Sequence, residues 1–178
     1  MDIQHFRVKL FASPDSQPHL HDAIPVFHRW IQENRVPETA IDVSDYGHVP
    51  AGPGVILVCH EAIYGLDQGK GKLGLVYNRR TVLDGSVEDR LRQAVNAAES
   101  AATQLETEPE FSGKLSFDRN AWEVVVNDRA LAPNTDDTWQ TLCPVIQGVF
   151  DSIIGAGRYS LERNRDSREL FTVTVVPA

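Results

Sequence analysis

The sequence predicts an α+β fold, with a mainly antiparallel sheet built from hairpins and about three helices packed on it. Two observations lead to this prediction. Short aliphatic and β-branched runs alternate with turn residues along most of the chain. Three longer segments instead carry apolar residues at helical spacing. The resulting order is βαβββα followed by ββαββ. Because hairpins outnumber strand–helix–strand crossovers in it, the sheet is expected to be mainly antiparallel.

The first elements follow from local pattern. Residues 6–11 read FRVKLF, an alternation that predicts a half-buried strand. The next segment has apolar residues at helical spacing, so we expect a helix there. His21 or Asp22 would cap its start, and it would end near Asn34. Residues 40–49 then predict a second strand, which leads into a connection rich in proline and glycine.

Residues 52–80 hold the strongest apolar run and the clearest turn in the chain. The aliphatic run at 55–59 is short enough to be a strand. Residues 68–71 read QGKG and predict a turn, because glycine enters positive φ without steric cost. Residues 73–77 return as the next strand. The segment is therefore predicted to be the central hairpin of the fold.

The register of this hairpin follows if Asp67 lies opposite Lys72. Counting outward then pairs Tyr64 with Leu75, Ala62 with Tyr77, His60 with Arg79, Glu61 with Asn78 and Cys59 with Arg80. Gly65 and Gly74 would face each other and leave bare backbone on both strands. Such glycines mark either a bulge or a groove floor that a ligand or partner chain approaches closely.

The same register assigns the two faces of the hairpin. One face is predicted to join the core through Ile56, Val58, Tyr64, Leu66, Leu73 and Leu75. The opposite face carries charged and polar groups: Glu61, Asp67, Lys72, Asn78 and Arg80. A slip of one residue would exchange the two faces.

The second half of the chain repeats the mixture of helices and hairpins. Ser86 to Asp89 resembles a capping box and precedes an apolar stripe that runs to Leu105, which predicts a long helix. The remaining predictions are a hairpin from 115–117 and 122–127, a helix after Asn134-Thr135 that ends at Gly155, and a hairpin from 159–163 and 170–176. We expect one domain over 1–178, or two intimately packed halves, 1–108 and 114–178.

Composition excludes several classes of function. The chain has 178 residues, of which 42% are hydrophobic and 24% charged, as in an ordinary globular domain. Its net charge of −8 argues against unspecific binding to nucleic acid or to anionic membranes. Both cysteines, Cys59 and Cys143, lie in apolar segments, so we expect buried thiols, no disulfide framework and a cytoplasmic location. We found no phosphate loop, dinucleotide fingerprint or zinc motif, so no cofactor is expected.

One functional hypothesis is an enzyme. If the strand at 40–49 pairs with 55–67, His48 would approach His60 and Glu61. Together with Asp67, these residues would suit a metal-assisted or acid–base hydrolase, with His48, His60 and Glu61 as catalytic candidates and His48, His60 and Asp67 as metal candidates. Adjacent strand residues point to opposite faces, however, so His60 and Glu61 could not share a substrate without a bulge. His60 would otherwise be a polar neighbour of Arg79.

The other hypothesis is a non-enzymatic binding or assembly module. Arg79, Arg80, Asn78 and Tyr64 would hold a small anionic ligand, because guanidinium groups suit carboxylate or phosphate. Arginines at strand ends suit ion pairs at a solvated rim equally well. Self-association or a protein partner is expected as well, because hairpin edges need to be covered. We favour the binding module over the hydrolase.

Overall fold

Within the residues that the structure describes, short apolar and alternating runs form eight strands, and segments with helical spacing form three α-helices. A computed structural model describes residues 1–50 and 52–178. The strands are β1 (Phe6–Ala12), β2 (Ala40–Tyr46), β3 (Gly54–Cys59), β4 (Ala62–Asp67), β5 (Gly74–Arg79), β6 (Phe117–Val126), β7 (Tyr159–Arg163) and β8 (Phe171–Pro177). The helices are α1 (Ala23–Glu33), α2 (Val87–Thr107) and α3 (Asp136–Ile153). The predicted α+β class is confirmed.

All eight strands belong to one antiparallel sheet, in the order β2-β3-β4-β5-β1-β6-β8-β7. The first strand of the chain therefore lies in the middle, between β5 and β6. The two predicted halves, residues 1–108 and 114–178, therefore share one sheet, which runs without a break through β1. β2 and β7 form its two edges.

The helices pack on one face of the sheet. α1 contacts β2 and β3, α2 contacts β1, β5 and α3, and α3 contacts β7. The strand residues that point towards the helices are buried, among them Val8, Leu57, Tyr64, Tyr77 and Trp122. The alanine-rich stripe of α2 is buried against the sheet as its small residues predict. No helix covers the opposite face among the residues that the structure describes.

The predicted N-terminal caps are found at two of the three helices. Ser86 Oγ accepts from the Asp89 amide at 3.1 Å, and the Asp89 carboxylate accepts from the Ser86 amide at 2.9 Å, so the capping box of α2 is confirmed. Thr135 caps α3. The predicted side-chain cap of α1 at His21 or Asp22 is wrong. A 3₁₀ turn enters that helix and Asp22 already has helical φ and ψ, so its carboxylate does not reach the first amides.

The segment 55–67 is two strands and not one. The chain reverses at His60 and Glu61, so that β3 pairs with β4 as well as with β2. This reversal pairs odd-numbered residues with even-numbered ones, for example Leu57 with Tyr64. Prediction of one continuous strand therefore put Ile56 and Val58 on the wrong face; they lie on the face without helices.

The predicted β4–β5 register is wrong by two residues. Tyr64 pairs with Tyr77 instead of Leu75, and Asp67 pairs with Gly74 instead of Lys72. The connection is longer than a tight hairpin, because residues 68–73 form a turn, with positive φ at Lys70 and Gly71, before β5 begins. A shift of two keeps each residue on its face, so Tyr64, Leu66 and Leu75 are buried as predicted.

The hairpin predicted from 115–117 and 122–127 is also wrong, because residues 117–126 continue as one strand, β6. The irregularity that suggested a turn lies where the β1–β6 register shifts between Leu10 and Ala12. The last predicted hairpin is confirmed, since β7 pairs with β8.

Candidate functional site

The centre of the uncovered sheet face carries a cavity of about 440 Å³ around Lys9. Lys9 is in β1, the middle strand, and points away from the helices because its neighbours Val8 and Leu10 point towards them. Its side chain is nevertheless buried, with 4% of its surface exposed. The strand order thus places the Lys9 ammonium group at the centre of the uncovered face.

Gly74 explains how Lys9 becomes buried. The lysine stem lies flat across Gly74 of the neighbouring strand, where a Cβ atom would be 2.8 Å from Lys9 Cε and 2.6 Å from the Leu10 carbonyl oxygen. Lys9 Nζ then donates to the Asp67 carboxylate and, at 2.5 Å, to the Lys72 carbonyl oxygen. Burial lowers the pKa of Lys9, and the bonded Asp67 carboxylate opposes that shift.

Arg7 is the second cation in this cavity, two residues before Lys9 on the same face. Its Nη2 donates to Glu123 Oε1 at 3.2 Å, across the β1–β6 pair. Its Nε is buried without a hydrogen-bond partner in the described part of the chain. The guanidinium group therefore has unused donor capacity beside the cavity.

Lys70 and Lys72 complete the cationic lining from the β4–β5 connection. Lys70 Nζ lies 3.9 Å from Glu123, and Lys72 Nζ lies 5.4 Å from the centre of the Phe11 ring. The sequence has four lysines, at positions 9, 70, 72 and 114, so three of the four line this cavity. With Arg7 they provide four cations against the carboxylates of Asp67 and Glu123, in a chain of net charge −8.

Lys70 also has an unusual backbone conformation. Its φ of 58° and ψ of 24° are left-handed, and it stands between Gly69 and Gly71. A side chain in this region costs about 1–2 kcal/mol. Strain of this kind is concentrated at ligand-binding positions in proteins.

A second cavity of about 320 Å³ adjoins the first, and both are lined by Arg7, Pro53 and Asp67. Its other lining residues are mostly apolar: Tyr46, Ile56, Ile63, Gly65, Val76 and Asn78. The Asn78 amide oxygen accepts from Asn127 Nδ2 at 2.8 Å. The uncovered face thus combines a cationic and an apolar depression.

A buried polar cluster lies on the other side of the sheet, beneath the helices. Glu38 accepts hydrogen bonds from Tyr64 at 2.6 Å and from Tyr77 at 2.8 Å. Arg79 Nη1 is 3.9 Å from the same carboxylate, and Gln93 Nε2 donates to the Tyr77 hydroxyl at 2.9 Å. Burial raises the pKa of Tyr77 to about 12 and raises that of Tyr64 further. The polar side chains of this cluster therefore find hydrogen-bond partners within the cluster itself.

The predicted hydrolase residues do not converge. β2 and β3 pair Tyr46 with Gly54 at one end and Ala40 with Cys59 at the other, so His48 and His60 follow opposite ends of that pair, roughly 17 Å of strand apart. Glu61 lies beside His60 and accepts from the Thr39 amide at 2.8 Å, which holds the pKa of Glu61 low.

Asp67 lies at the far end of β4 from Glu61 and is engaged by Lys9. Across residues 1–50 and 52–178, no three His, Cys, Asp or Glu side chains are arranged to hold a metal ion. Cys59 is buried, and this burial raises its pKa to about 12. Cys143 is partly buried, so the prediction of two buried thiols is met only by Cys59.

The four residues predicted to bind an anion do not lie together, because alternation along β4 and β5 points Tyr64 and Arg79 to one face and Asn78 to the other. Tyr64 and Arg79 face the helices and serve the Glu38 cluster, whereas Asn78 lies on the uncovered face. Arg80 follows the end of β5 and is exposed. His60 does not face Arg79, because Ala62 pairs with it. These residues therefore do not form the single surface that we predicted.

Sequence reasoning missed Arg7 and Lys9. The FRVKLF alternation correctly puts both on one face of a strand, but a polar face usually indicates solvent. One signal could have indicated this site. Lys9, Lys70 and Lys72 are three of the four lysines, and they lie in two short segments that a sheet could bring together.

Comparison of the chain with protein-family models and with curated proteins finds no match. None of the helices within the described residues combines the length and hydropathy needed to cross a bilayer.

Proposed function

We propose that this chain is a non-enzymatic binding module that holds a small anionic ligand on the uncovered face of its sheet. The observation that carries the proposal is the gathering of Arg7, Lys9, Lys70 and Lys72 around one cavity of about 440 Å³. Ligand sites in proteins have volumes of roughly 300–1,000 Å³ and a few convergent polar groups. The ligand group best suited to these donors is a carboxylate or a phosphate.

The two lysines of the β4–β5 connection would make the first contacts. Lys9 and Arg7 already have Asp67 and Glu123 as partners, so their charges are largely balanced. Lys70 is 64% exposed and its nearest carboxylate oxygen is 3.9 Å away. Lys72 is also exposed. The excess positive charge therefore belongs to these two ammonium groups.

The overall charge of the chain favours a small ligand over a polyanion. At physiological salt, charges farther than about 8 Å are screened, so a small anion in the cavity experiences mainly the local cations. A nucleic acid or an anionic bilayer would extend over the surrounding surface of a chain whose net charge is −8.

The test is a titration with inorganic phosphate in a phosphate-free, low-salt buffer, followed by amide chemical shifts. We expect saturable shifts at residues 69–74. The double variant Lys70→Gln/Lys72→Gln should bind phosphate about tenfold more weakly, because each exposed charge pair contributes on the order of 0.7 kcal/mol.

The matched control is Lys114→Gln, which removes the one lysine outside the cavity. This variant should bind phosphate as the unaltered chain does. Equal weakening by the Lys114 variant and the double variant would contradict the proposal, as would phosphate shifts that avoid residues 69–74.

Self-association and a cytoplasmic location stay predictions. The edge strands β2 and β7 are the surfaces on which pairing with another chain would occur. Ile41 and Tyr46 of β2 are exposed, at 55% and 42%. Sedimentation over a range of concentrations would test this prediction independently of the anion site.

A further inference from the structure

The apolar cavity beside the cationic cavity indicates which kind of anion would bind there. We propose that the ligand is an organic carboxylate with a compact apolar body, its carboxylate at the lysines and its body over Gly65. This inference rests on the proposed function and adds the class of ligand. The glycine floor of the apolar cavity, its aliphatic walls and the positions of the surrounding charges support it.

Gly65 forms the floor of the apolar cavity. It lies in the middle of β4, with Ile56 of β3 on one side and Val76 of β5 on the other. Pairing with both strands continues through it without a shift in register, so it is not a bulge. A Cβ atom here would lie 3.1 Å from Ile56 Cγ2 and would fill the depression. Bare backbone at this position leaves room for close approach by a ligand.

Aliphatic side chains from three adjacent strands surround that floor. Ile56, Ile63 and Val76 each point to the uncovered face and are partly exposed. The phenol of Tyr46, 42% exposed, and the ring of Pro53 stand at the rim. An apolar part of the ligand would bury these side chains from water, which favours binding. Each methylene group buried in this way strengthens binding by up to about fourfold.

The positions of the charges orient the ligand. Arg7 lines both cavities and Lys70 and Lys72 line only the first, so an anionic group belongs at that end. Asp67 also lines both cavities, but its carboxylate is bonded to Lys9. With about 440 and 320 Å³, the cavities suit one short alkyl chain or one ring and not a polymer.

The experiment compares straight-chain carboxylates from acetate to octanoate with inorganic phosphate, all below their micelle-forming concentrations. Affinity should rise about two- to fourfold per methylene until the apolar cavity is filled, and then level off. Amide shifts should spread from residues 69–74 to Gly65 and Val76 as the chain lengthens.

Two variants locate the apolar body. Val76→Thr keeps the shape of the side chain but adds a hydroxyl to the cavity wall, so hexanoate should bind at least fivefold more weakly and phosphate less than twofold. Val176→Thr is the matched control, since Val176 of β8 points to the same face but does not line either cavity. It should leave both affinities unchanged.

The outcomes separate this inference from the proposed function. If phosphate binds and hexanoate binds no tighter than acetate, the inference is overturned while the anion site stands. A rise along the series that Val76→Thr and Val176→Thr affect equally also overturns it, because the body then lies elsewhere. Absence of binding by phosphate and every carboxylate overturns both.

Discussion

The Glu38 cluster makes the chain sensitive to alkaline pH through Tyr77. The ring of Tyr77 is fully buried, its hydroxyl donates to Glu38 at 2.8 Å and it accepts from Gln93. Burial raises the pKa of Tyr77 to about 12, whereas an unfolded chain has the ordinary value of 10. The native state therefore holds this proton more tightly than the unfolded state does.

The sign and size of the effect follow from that difference. The stability that Tyr77 contributes is complete below pH 10 and is lost as the pH rises through 12. The loss amounts to about 1.4 kcal/mol by pH 11 and about 2 kcal/mol by pH 12. Tyr77→Phe removes this dependence. At neutral pH the variant should be less stable by about 1–2 kcal/mol, because Gln93 and Glu38 lose a buried partner.

The assay is urea unfolding followed by far-ultraviolet circular dichroism at intervals from pH 8 to 12. The free energy of unfolding should fall more steeply for the unaltered chain than for Tyr77→Phe, and the two curves should meet near pH 11–12. Tyr46→Phe is the control: Tyr46 is exposed, so its curve should parallel that of the unaltered chain. Parallel curves for Tyr77→Phe and the unaltered chain would refute the reasoning.

Two further predictions concern backbone conformation, and urea unfolding measures both. Gly54 has a φ of +68°, and a Cβ there would overlap the Leu66 carbonyl oxygen, so Gly54→Ala should cost more than about 3 kcal/mol. Gly113→Ala, at a φ of +71° with open space around it, should cost only about 1 kcal/mol; equal losses would contradict the steric argument. Lys70→Gly should raise the free energy of unfolding by about 0.5 kcal/mol, since it relieves a left-handed lysine, and a loss instead would show that the conformation is not strained.

The elements that sequence reasoning predicted well are those specified within a few residues. The capping box of α2 needs only Ser86 and Asp89, which are three positions apart and meet in the first turn of any helix. The alternation of β1 likewise assigns Val8 and Lys9 to opposite faces whatever surrounds the strand. Such patterns depend on backbone geometry alone.

The errors arose where a distant pairing decided the outcome. A reversal at His60 and Glu61 exchanged the face of Ile56, and a longer connection moved Asp67 from Lys72 to Gly74. These pairing errors affected the predicted anion-binding residues most. The sequence predicts that Arg79 and Tyr64 bind an anionic ligand, whereas in the structure both lie against the buried Glu38 carboxylate.

By itself, the sequence determined the class of fold, the three helices, most of the strands and the face to which each β1 side chain points, because these follow from periods of 3.6 and 2 residues along the chain. Only the tertiary structure decided that β1 lies between β5 and β6, and therefore that Lys9 reaches across Gly74 to Asp67. Neighbouring strands are chosen by the packing of the whole sheet, in which residues 58 positions apart become partners, and no local pattern encodes that choice.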